Sequence, residues 1–358
     1  MFDGVVVTVS GPAVSVSGVQ VGTYTFTGGE MTITFNGNAT QARVNTLMQH
    51  ILYSNVSDAS PDSAQINWTF SDGNSGSQGS GGALTATGST TVTITAVNDA
   101  PTITNLSGDS LAYSEGDGAV IIEQGGNALV ADVDSTNFDT GTLTVSFTAG
   151  SDSAEDVLSI RNQGIGAGQI GVSGSNITYG GTVIGTYSGG SGGGPLVITF
   201  NSNATPTVVT ALTQHITYEN TDTAATTTGV RTIRYVLSDG DGGTSANYDT
   251  AVTVSGVNDA PVNTVPGAQT VTEDTSLAIP GISVSDADGN LSTVQLSVSH
   301  GTLTVTLSGG ATISSGTNGS GTLTISGSQA AINTTLASLV YQGNVGCGCR
   351  HADGIEYR

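Results

Sequence analysis

The sequence predicts an all-β protein made of serial β-sandwich repeats, each with one short crossover helix. Three observations lead to this prediction. Segments such as residues 14–17, 143–147 and 303–307 alternate apolar and small polar residues, which is the period of a half-buried strand. Clusters of Gly, Asn and Ser separate such segments at the spacing of turns. Finally, blocks of sequence recur along the chain, which is typical of a repeat protein.

The clearest recurrence is a six-residue block. Ala-Val-Asn-Asp-Ala-Pro at residues 96–101 returns as Gly-Val-Asn-Asp-Ala-Pro at residues 256–261, and Gly-Thr-Tyr, Gln-His-Ile and Ser-Asp-Gly also occur twice in the same order. A third, shorter copy ends near residue 341. We therefore predict the C-terminal part of a repeat at 1–97, a complete repeat at 98–257, a truncated repeat at 258–344 and an aberrant tail at 345–358. The complete repeat is longer than the ~100 residues of a plain sandwich, which predicts inserted strands or long loops.

A helical stripe interrupts the β pattern in each copy. In the first copy it consists of Val44, Leu47, Met48 and Ile51, at positions i, i+3, i+4 and i+7. In the second copy Thr205 followed by Pro206 is typical of an N-cap with proline at the first helical position. In the third copy Ser328 precedes the stripe. We predict a helix of one to three turns that crosses between the sheets and leads into a strand containing Tyr53, Tyr218 or Tyr341.

The charge balance limits the function classes. The chain has 28 Asp and Glu residues against six Arg and no Lys, and a net charge of -22. This excludes a nucleic-acid surface, which needs a basic patch, and disfavours anionic lipid. So few cations cannot neutralise the carboxylates, which indicates a bound divalent metal. Apolar residues are only 36% of the chain, as in disordered proteins, but the regular alternation favours a folded array. No apolar run reaches the ~20 residues of a membrane span.

Acidic and amide side chains gather around the two repeat boundaries in the same order each time: Ser-Asp-Gly, Val-Asn-Asp-Ala-Pro, a Glu, and Asp-x-Asp. Calcium takes six to eight oxygen ligands, and loops from two sandwiches can supply them together. Each residue is also a turn former, so a purely structural role stays open. The candidate Ca²⁺ ligands are Asp72, Asn98, Asp99, Glu115, Asp132, Asp134, Asp239, Asp241, Asn258, Asp259, Glu273, Asp286 and Asp288.

The linker Asn-Asp-Ala-Pro, the Glu-Asp after it and Ser-Asp-Ala-Asp-Gly at residues 285–289 resemble bacterial cadherin-like (Ig-like) tandem repeats of giant repeat-in-toxin-type surface adhesins. The resemblance implies export by type I secretion and calcium that stiffens the junctions. It implies linker ligands at Asn98, Asp99, Asn258 and Asp259. It further implies an opening-strand glutamate at Glu115 and Glu273, and an Asp-x-Asp pair at Asp132 and Asp134 and at Asp286 and Asp288. An Asp-Arg-Glu motif is missing from the sequence, and Asp72 and Asp239 are considered as substitutes.

These observations predict an extracellular, calcium-stabilised spacer or cell-adhesion segment at the cell surface. Its expected partners are neighbouring repeats of the same chain and a surface glycan or protein. The alternative is a glycan- or protein-binding module within a secreted repeat protein. We do not expect an enzyme: His50 and His215 are interpreted as residues at helix C-termini, and no histidine is paired with a recognisable nucleophile.

The tail at residues 345–358 departs from the repeat pattern. It contains both cysteines, two of the six arginines and one histidine. We interpret it as the product of a reading-frame error or contig end. Finding the frame intact when the locus is sequenced would contradict this interpretation.

Overall fold

A computed structural model describes residues 6–75, 79–272, 274–343 and the backbone of 356–357. The expectations for Glu273 and for most of the tail at 345–358 therefore fall outside the described residues. The chain divides into two compact units, Met1–Asp99 and Ala100–Arg358. The predicted all-β class is confirmed, because the described residues form 28 strands and three eight-residue helices. No helix among these residues is long and apolar enough to span a membrane.

Unit 1 contains an antiparallel meander, a helix and a long hairpin. The meander has the strand order β1-β2-β3-β4, and β5 pairs with β6 in a separate two-stranded sheet. A small core contains Val7, Val14, Val16, Val21 and Leu47. The elements are β1 (Val7–Ser10), β2 (Ala13–Val16), β3 (Val19–Thr27), β4 (Glu30–Phe35), α1 (Gln41–Met48), β5 (Ser63–Ser71) and β6 (Thr85–Thr93).

The first part of unit 2, here called the second repeat, is a complete sandwich. Its main sheet has the order β13-β14-β15-β16-β11-β18-β19-β8, and the facing sheet has the order β12-β17-β9, while β10 pairs with β7. Side chains of both sheets, such as Val145 and Tyr218, belong to one buried cluster. The elements are β7 (Thr102–Thr104), β8 (Ser110–Ser114), β9 (Val120–Ile121), β10 (Leu129–Ala131), β11 (Thr142–Ala149), β12 (Asp156–Ile160), β13 (Ile170–Ser173), β14 (Asn176–Tyr179), β15 (Thr182–Gly189), β16 (Leu196–Phe200), α2 (Pro206–Thr213), β17 (Ile216–Asn220), β18 (Gly229–Ser238) and β19 (Tyr248–Ser255).

The remainder of unit 2, the third repeat, follows the same plan with fewer strands and has its own core. The order β21-β27-β24 matches β9-β17-β12, and β25-β26-β23 matches β15-β16-β11. No described strand of this repeat corresponds to β13 and β14. The elements are β20 (Val262–Thr264), β21 (Ser276–Ala278), β22 (Ser283–Ser285), β23 (Thr293–Ser297), β24 (Thr302–Thr304), β25 (Thr312–Gly316), β26 (Thr322–Ser326), α3 (Gln329–Leu336), β27 (Val340–Gln342) and β28 (Glu356–Tyr357).

Unit 1 repeats the register of the second repeat. Gly22 pairs with Phe35 as Gly185 pairs with Phe200, and the preceding hairpins carry a bulge at the same position. A Cβ atom on Gly22 or Gly185 would lie 2.3 Å from the carbonyl oxygen of Thr34 or Thr199. Only glycine permits this close backbone approach, so the recurrent Gly-Thr-Tyr has a steric cause.

The predicted crossover helices are confirmed in the second and third repeats, where α2 joins β16 to β17 and α3 joins β26 to β27 in different sheets. In unit 1 the predicted helix forms as α1, but it ends at Met48, so Ile51 lies beyond it. Thr205 is the N-cap of α2 with Pro206 at its first position, and the Ser328 hydroxyl caps α3 by accepting from the amide of Ala331. The Nδ1 atom of His215 lies 2.6 Å from the Ala211 carbonyl oxygen, which agrees with a helix-end role. The predicted strands at Tyr218 and Tyr341 are β17 and β27.

The predicted strand at Tyr53 is wrong. Residues 52–56 are not in a strand, and Tyr53 is 44% exposed. In the second repeat, β17 pairs with both β12 and β9. The described part of unit 1 contains no counterpart of either partner, so this segment has no ladder to join.

Candidate functional site

The candidate site lies in unit 2, where the second repeat meets the third. The linker between the two repeats begins at the end of β19, and β19 runs parallel to β8. Because the strands are parallel, their C-terminal ends lie at the same end, or pole, of the sandwich. Glu115 immediately follows β8 and the linker at residues 256–261 follows β19. The linker, which begins at residue 256, therefore lies beside Glu115 although the two are 141 residues apart in the sequence.

Two carboxylates, one from each repeat, accept hydrogen bonds from the linker backbone. The Val257 amide donates to Oε2 of Glu115 at 2.8 Å, from the second repeat. The Asp259 amide donates to Oδ2 of Asp288 at 2.5 Å, from the third repeat. The linker is thus bound to both repeats by acidic side chains of the protein itself.

Amide side chains complete the local structure. The Asn258 Nδ2 donates to the Asp259 carbonyl at 3.0 Å, and Oδ1 of Asn258 accepts from Nδ2 of Asn290 at 2.6 Å. Asn98 makes the same 3.0 Å contact with the Asp99 carbonyl in unit 1. The recurring Asn-Asp pair therefore forms the same side-chain-to-backbone hydrogen bond in both linkers, which is a structural role.

We call Glu115, Asp222, Asp259, Asp286 and Asp288 the junction cluster. Burial raises the pKa of Asp259 first, and repulsion by the other four carboxylates raises it further. Asp286 is buried, with its amide donating to Oε1 of Gln329 at 2.9 Å. The cluster therefore concentrates like charge, which destabilises the folded junction when every member is ionised.

Two oxygens of the junction cluster are buried and have no hydrogen-bond donor: Oε1 of Glu115 and Oδ2 of Asp259. Buried carboxylate oxygens without a partner are costly, and a bound cation is one way to satisfy them. Their type, hard carboxylate oxygen beside backbone and amide carbonyls, suits calcium. In the described ranges, with their gaps, no three Asp, Glu, His or Cys side chains already form a compact metal-binding group. Calcium binding here thus requires carbonyl or amide oxygens, or a small movement of the carboxylates.

The structure does not bring Asp239 and Asp241 to this cluster. Gly229, at one end of β18, pairs with Val254 near the linker, whereas Asp239 follows the other end. The ten residues of β18 separate them by about 30 Å. Asp239 is fully buried, and its Oδ1 accepts from the amides of Asp241, Gly242 and Gly243, so it closes its own turn.

In unit 1, Asp72 occupies the position that Asp239 occupies in the second repeat. It follows the end of β5 that pairs with Thr85, while the opposite end pairs with Thr93 near the first linker. Its Oδ1 accepts from the amides of Asn74 and Leu84. Both Ser-Asp-Gly motifs thus form turns at the pole opposite the linker that follows them.

Asp132 and Asp134 follow β10 in the second repeat, as Asp286 and Asp288 follow β22 in the third. The Asp132 Oδ1 accepts from the amides of Asp134 and Ser135, while its Oδ2 is buried without a donor. Burial, followed by the neighbouring Asp134, raises the pKa of Asp132. Ligand roles for Asp132, Asp134, Asn98 and Asp99 at the first junction stay predictions.

Sequence reasoning missed Asp222. It lies in the loop after β17, where its Oδ1 accepts from the amides of Ala224 and Ala225. These two hydrogen bonds lower the pKa of Asp222. The sequence did contain a signal for this residue, because Asp222 lies two residues after a Tyr-x-Asn motif that occurs in both copies. In the first copy, however, the residue two positions after this motif is Ser57. A search for acids recurring at fixed spacing therefore passes over it.

The raised pKa of Asp259 gives a pH-dependent prediction for the chain in chelator. Below the ordinary pKa of aspartate both folded and unfolded chains bind the proton, so Asp259 imposes no penalty. As pH rises through the ordinary value and then the raised one, the folded junction loses stability. We expect Asp259→Asn to be more stable than wild type at pH 7 and similar to it near pH 3.5, measured by thermal unfolding. A difference independent of pH would contradict this.

Comparisons with known proteins show little at the level of sequence. No family model matches the chain, and no curated protein matches it. Among solved structures, it is similar to a protocadherin gammaB7 EC3-6 cis-dimer structure, with 14% sequence identity and a TM-score of 0.27. The match covers 75% of this chain and 51% of that chain, so it spans about half of the protocadherin fragment.

Proposed function

We propose that this chain is an extracellular, calcium-stabilised repeat segment of a bacterial surface adhesin, acting as a rigid spacer or cell-adhesion module. The observation that carries the proposal is the junction cluster. It places carboxylates from two successive repeats around one linker and leaves Oε1 of Glu115 and Oδ2 of Asp259 buried without donors. The adhesin assignment adds the sequence resemblance of the linker and of Ser-Asp-Ala-Asp-Gly.

The chain's own residues prepare the junction. Glu115 holds the Val257 amide, Asp288 holds the Asp259 amide, and Asn290 fixes the Asn258 side chain. Calcium bound here would supply the positive charge that six arginines against 28 acids do not provide. Glu115, Asp222, Asp259, Asp286 and Asp288 would hold it, with linker carbonyls. Because these residues come from both repeats, binding would restrict their relative motion, which is what a spacer needs.

Calorimetric titration of the full chain with CaCl₂ tests the proposal. We expect Glu115→Gln to weaken calcium binding at one class of sites at least tenfold, equivalent to about 1.4 kcal/mol. The matched control is Glu30→Gln, because Glu30 is exposed at the start of β4, and its titration should match wild type. Identical titrations of Glu115→Gln and wild type would refute calcium binding by the junction cluster.

A further inference from the structure

The main sheet of the second repeat ends at β13. Among the described residues, β13 pairs with β14 alone. In an antiparallel pair, alternate residues direct their backbone N–H and C=O groups away from the partner strand. In β13 these outward-facing residues are Ile170 and Val172, whose amides donate to side chains outside the sheet. Such a row of outward groups is a template to which another chain can add a strand.

A short segment of the same repeat covers this edge. Residues 161–164, here called the strap, follow β12 of the facing sheet, and the Arg161 amide donates to the His215 carbonyl at 2.9 Å. This hydrogen bond extends the ladder of β12 and β17, in which Ile160 pairs with Ile216. The strap then runs along β13. It therefore joins an edge of the facing sheet to an edge of the main sheet.

The strap occupies all four outward-facing backbone groups of Ile170 and Val172. The Oε1 atom of Gln163 accepts from the Ile170 amide at 2.9 Å, and the Gln163 amide donates to the Ile170 carbonyl at 2.7 Å. Asn162 binds Val172 with its side chain alone: Oδ1 accepts from the amide and Nδ2 donates to the carbonyl, each at 3.1 Å. A side-chain amide has the donor and the acceptor of a peptide group. The Asn162 side chain thus replaces one residue of a partner strand.

The strap also packs tightly against β13. A Cβ atom on Gly171 would lie 2.6 Å from the carbonyl oxygen of Gly164 and 2.5 Å from Oγ1 of Thr178. Only glycine permits this close backbone approach. The Gly164 amide donates to Oδ1 of Asn162 at 3.2 Å, which closes a turn within the strap. The strap is therefore fitted to the edge that it covers.

Charge does not protect this edge. Between Asp156 and Glu219 the sequence contains no Asp or Glu, and Arg161 is the single Lys or Arg residue in that interval. The strand itself has the sequence Ile-Gly-Val-Ser, without the charged residue or proline that commonly blocks an edge strand. The hydrogen bonds of the strap are thus the protection that the sequence provides here.

We propose that the strap is a guard that keeps two copies of this chain from joining through β13. Without the strap the edge is self-complementary, because two β13 strands related by a two-fold axis at Gly171 align Ile170 of each with Val172 of the other. The partner that the strap excludes is therefore a second copy of this chain, in antiparallel pairing. This role lies within the second repeat and needs no calcium, so it is independent of the proposed function.

The test opens the edge with the double variant Asn162→Ala and Gln163→Ala, which removes three of the four hydrogen bonds. We expect the double variant to self-associate at least tenfold more tightly than wild type. Sedimentation of the full chain in about 0.15 M salt, where the screening length is about 8 Å, measures this. In dilute solution the Ile170 and Val172 amides of the variant should exchange at least tenfold faster than in wild type. Raising the protein concentration should slow their exchange again, because a second copy then covers them.

The matched control is Asn176→Ala, because Asn176 is exposed on the neighbouring strand β14. This variant should associate as wild type does. Unchanged association of the folded double variant would overturn the proposal. A dimer in which the Ile170 and Val172 amides still exchange rapidly would also overturn it, since another surface would then form the contact.

Slow exchange of the Val145 amide, in the central strand β11, shows that the double variant is folded. If this protection is lost, Asn162→Ala alone takes its place, because it keeps both hydrogen bonds of Gln163. We expect faster exchange at Val172 and tighter self-association for this variant too. Wild-type values of both quantities would count against the strap as a guard.

Discussion

We expect Arg231→Leu to destabilise the second repeat by about 3–5 kcal/mol, the usual cost of leaving one partner of a buried ion pair uncompensated. Arg231 is 1% exposed, and its Nε lies 3.1 Å from Oδ2 of Asp156, which is equally buried. Asp156 also accepts from the Tyr218 hydroxyl at 2.5 Å. After the substitution this carboxylate keeps its neutral donors but loses the neighbouring positive charge.

The measurement is native-state hydrogen exchange of β17 and β18, because the single tryptophan lies in unit 1. The matched control is Arg234→Leu on the same strand. Arg234 pairs with Asp249 at 2.7 Å, but both side chains are more than one-third exposed, so we expect little change. A double variant with Asp156→Leu should recover part of the loss, since it removes the unpaired charge. Equal effects of Arg231→Leu and Arg234→Leu would contradict this account.

The same arginine supports the junction. Its Nη2 donates to the Thr227 carbonyl at 2.5 Å and its Nη1 to the Gly229 carbonyl at 3.2 Å. These carbonyls end the loop that carries Asp222. Arg231→Leu should therefore also weaken calcium binding if the proposed function is correct.

Removing calcium should loosen the second linker and leave the opposite edge of the main sheet unchanged. At a calcium concentration of one hundred times Kd, binding stabilises the bound state by about 2.7 kcal/mol. The Val257 and Asp259 amides donate to Glu115 and Asp288, which are proposed ligands. Chelation should thus accelerate exchange of these two amides by up to about a hundredfold.

Strands β13 and β14 provide the internal control, because they form the opposite edge of the main sheet from β19 and β8. Their exchange should be unaffected by chelator. Uniform acceleration throughout the second repeat would indicate global destabilisation, and no acceleration at Val257 and Asp259 would contradict the proposed site.

Local patterns predicted the elements well because their causes are local. Thr205 and Pro206 mark the start of α2, since helix capping depends on adjacent residues. The Gly-Thr-Tyr blocks coincide with two equivalent bulges between strands that are neighbours in the sequence. Local sequence patterns could not show whether a strand forms at Tyr53. Its formation requires partners that are distant in sequence.

The residues that make up the candidate site were harder to predict from the sequence. Asp239 precedes Asn258 by 19 residues in the sequence, yet β18 and β19 form an antiparallel hairpin that places them at opposite poles. Distance along the chain is therefore a poor guide to distance in a sandwich. Conversely, Glu115 meets Val257 because β8 and β19 run parallel, a long-range pairing that alternation of residues does not encode.

The parallel pairing of β8 and β19 also determines how the second repeat carries mechanical load. Five residue pairs, from Ser110 with Ala251 to Ser114 with Ser255, join these strands. A pull on Val257 acts along β19, so it loads this ladder lengthwise, and its evenly spaced hydrogen bonds resist together. Detachment would need several bonds to break at once, whereas a hairpin opened from its end loses them one by one. The strand that leads into the linker is thus in the geometry that best withstands tension.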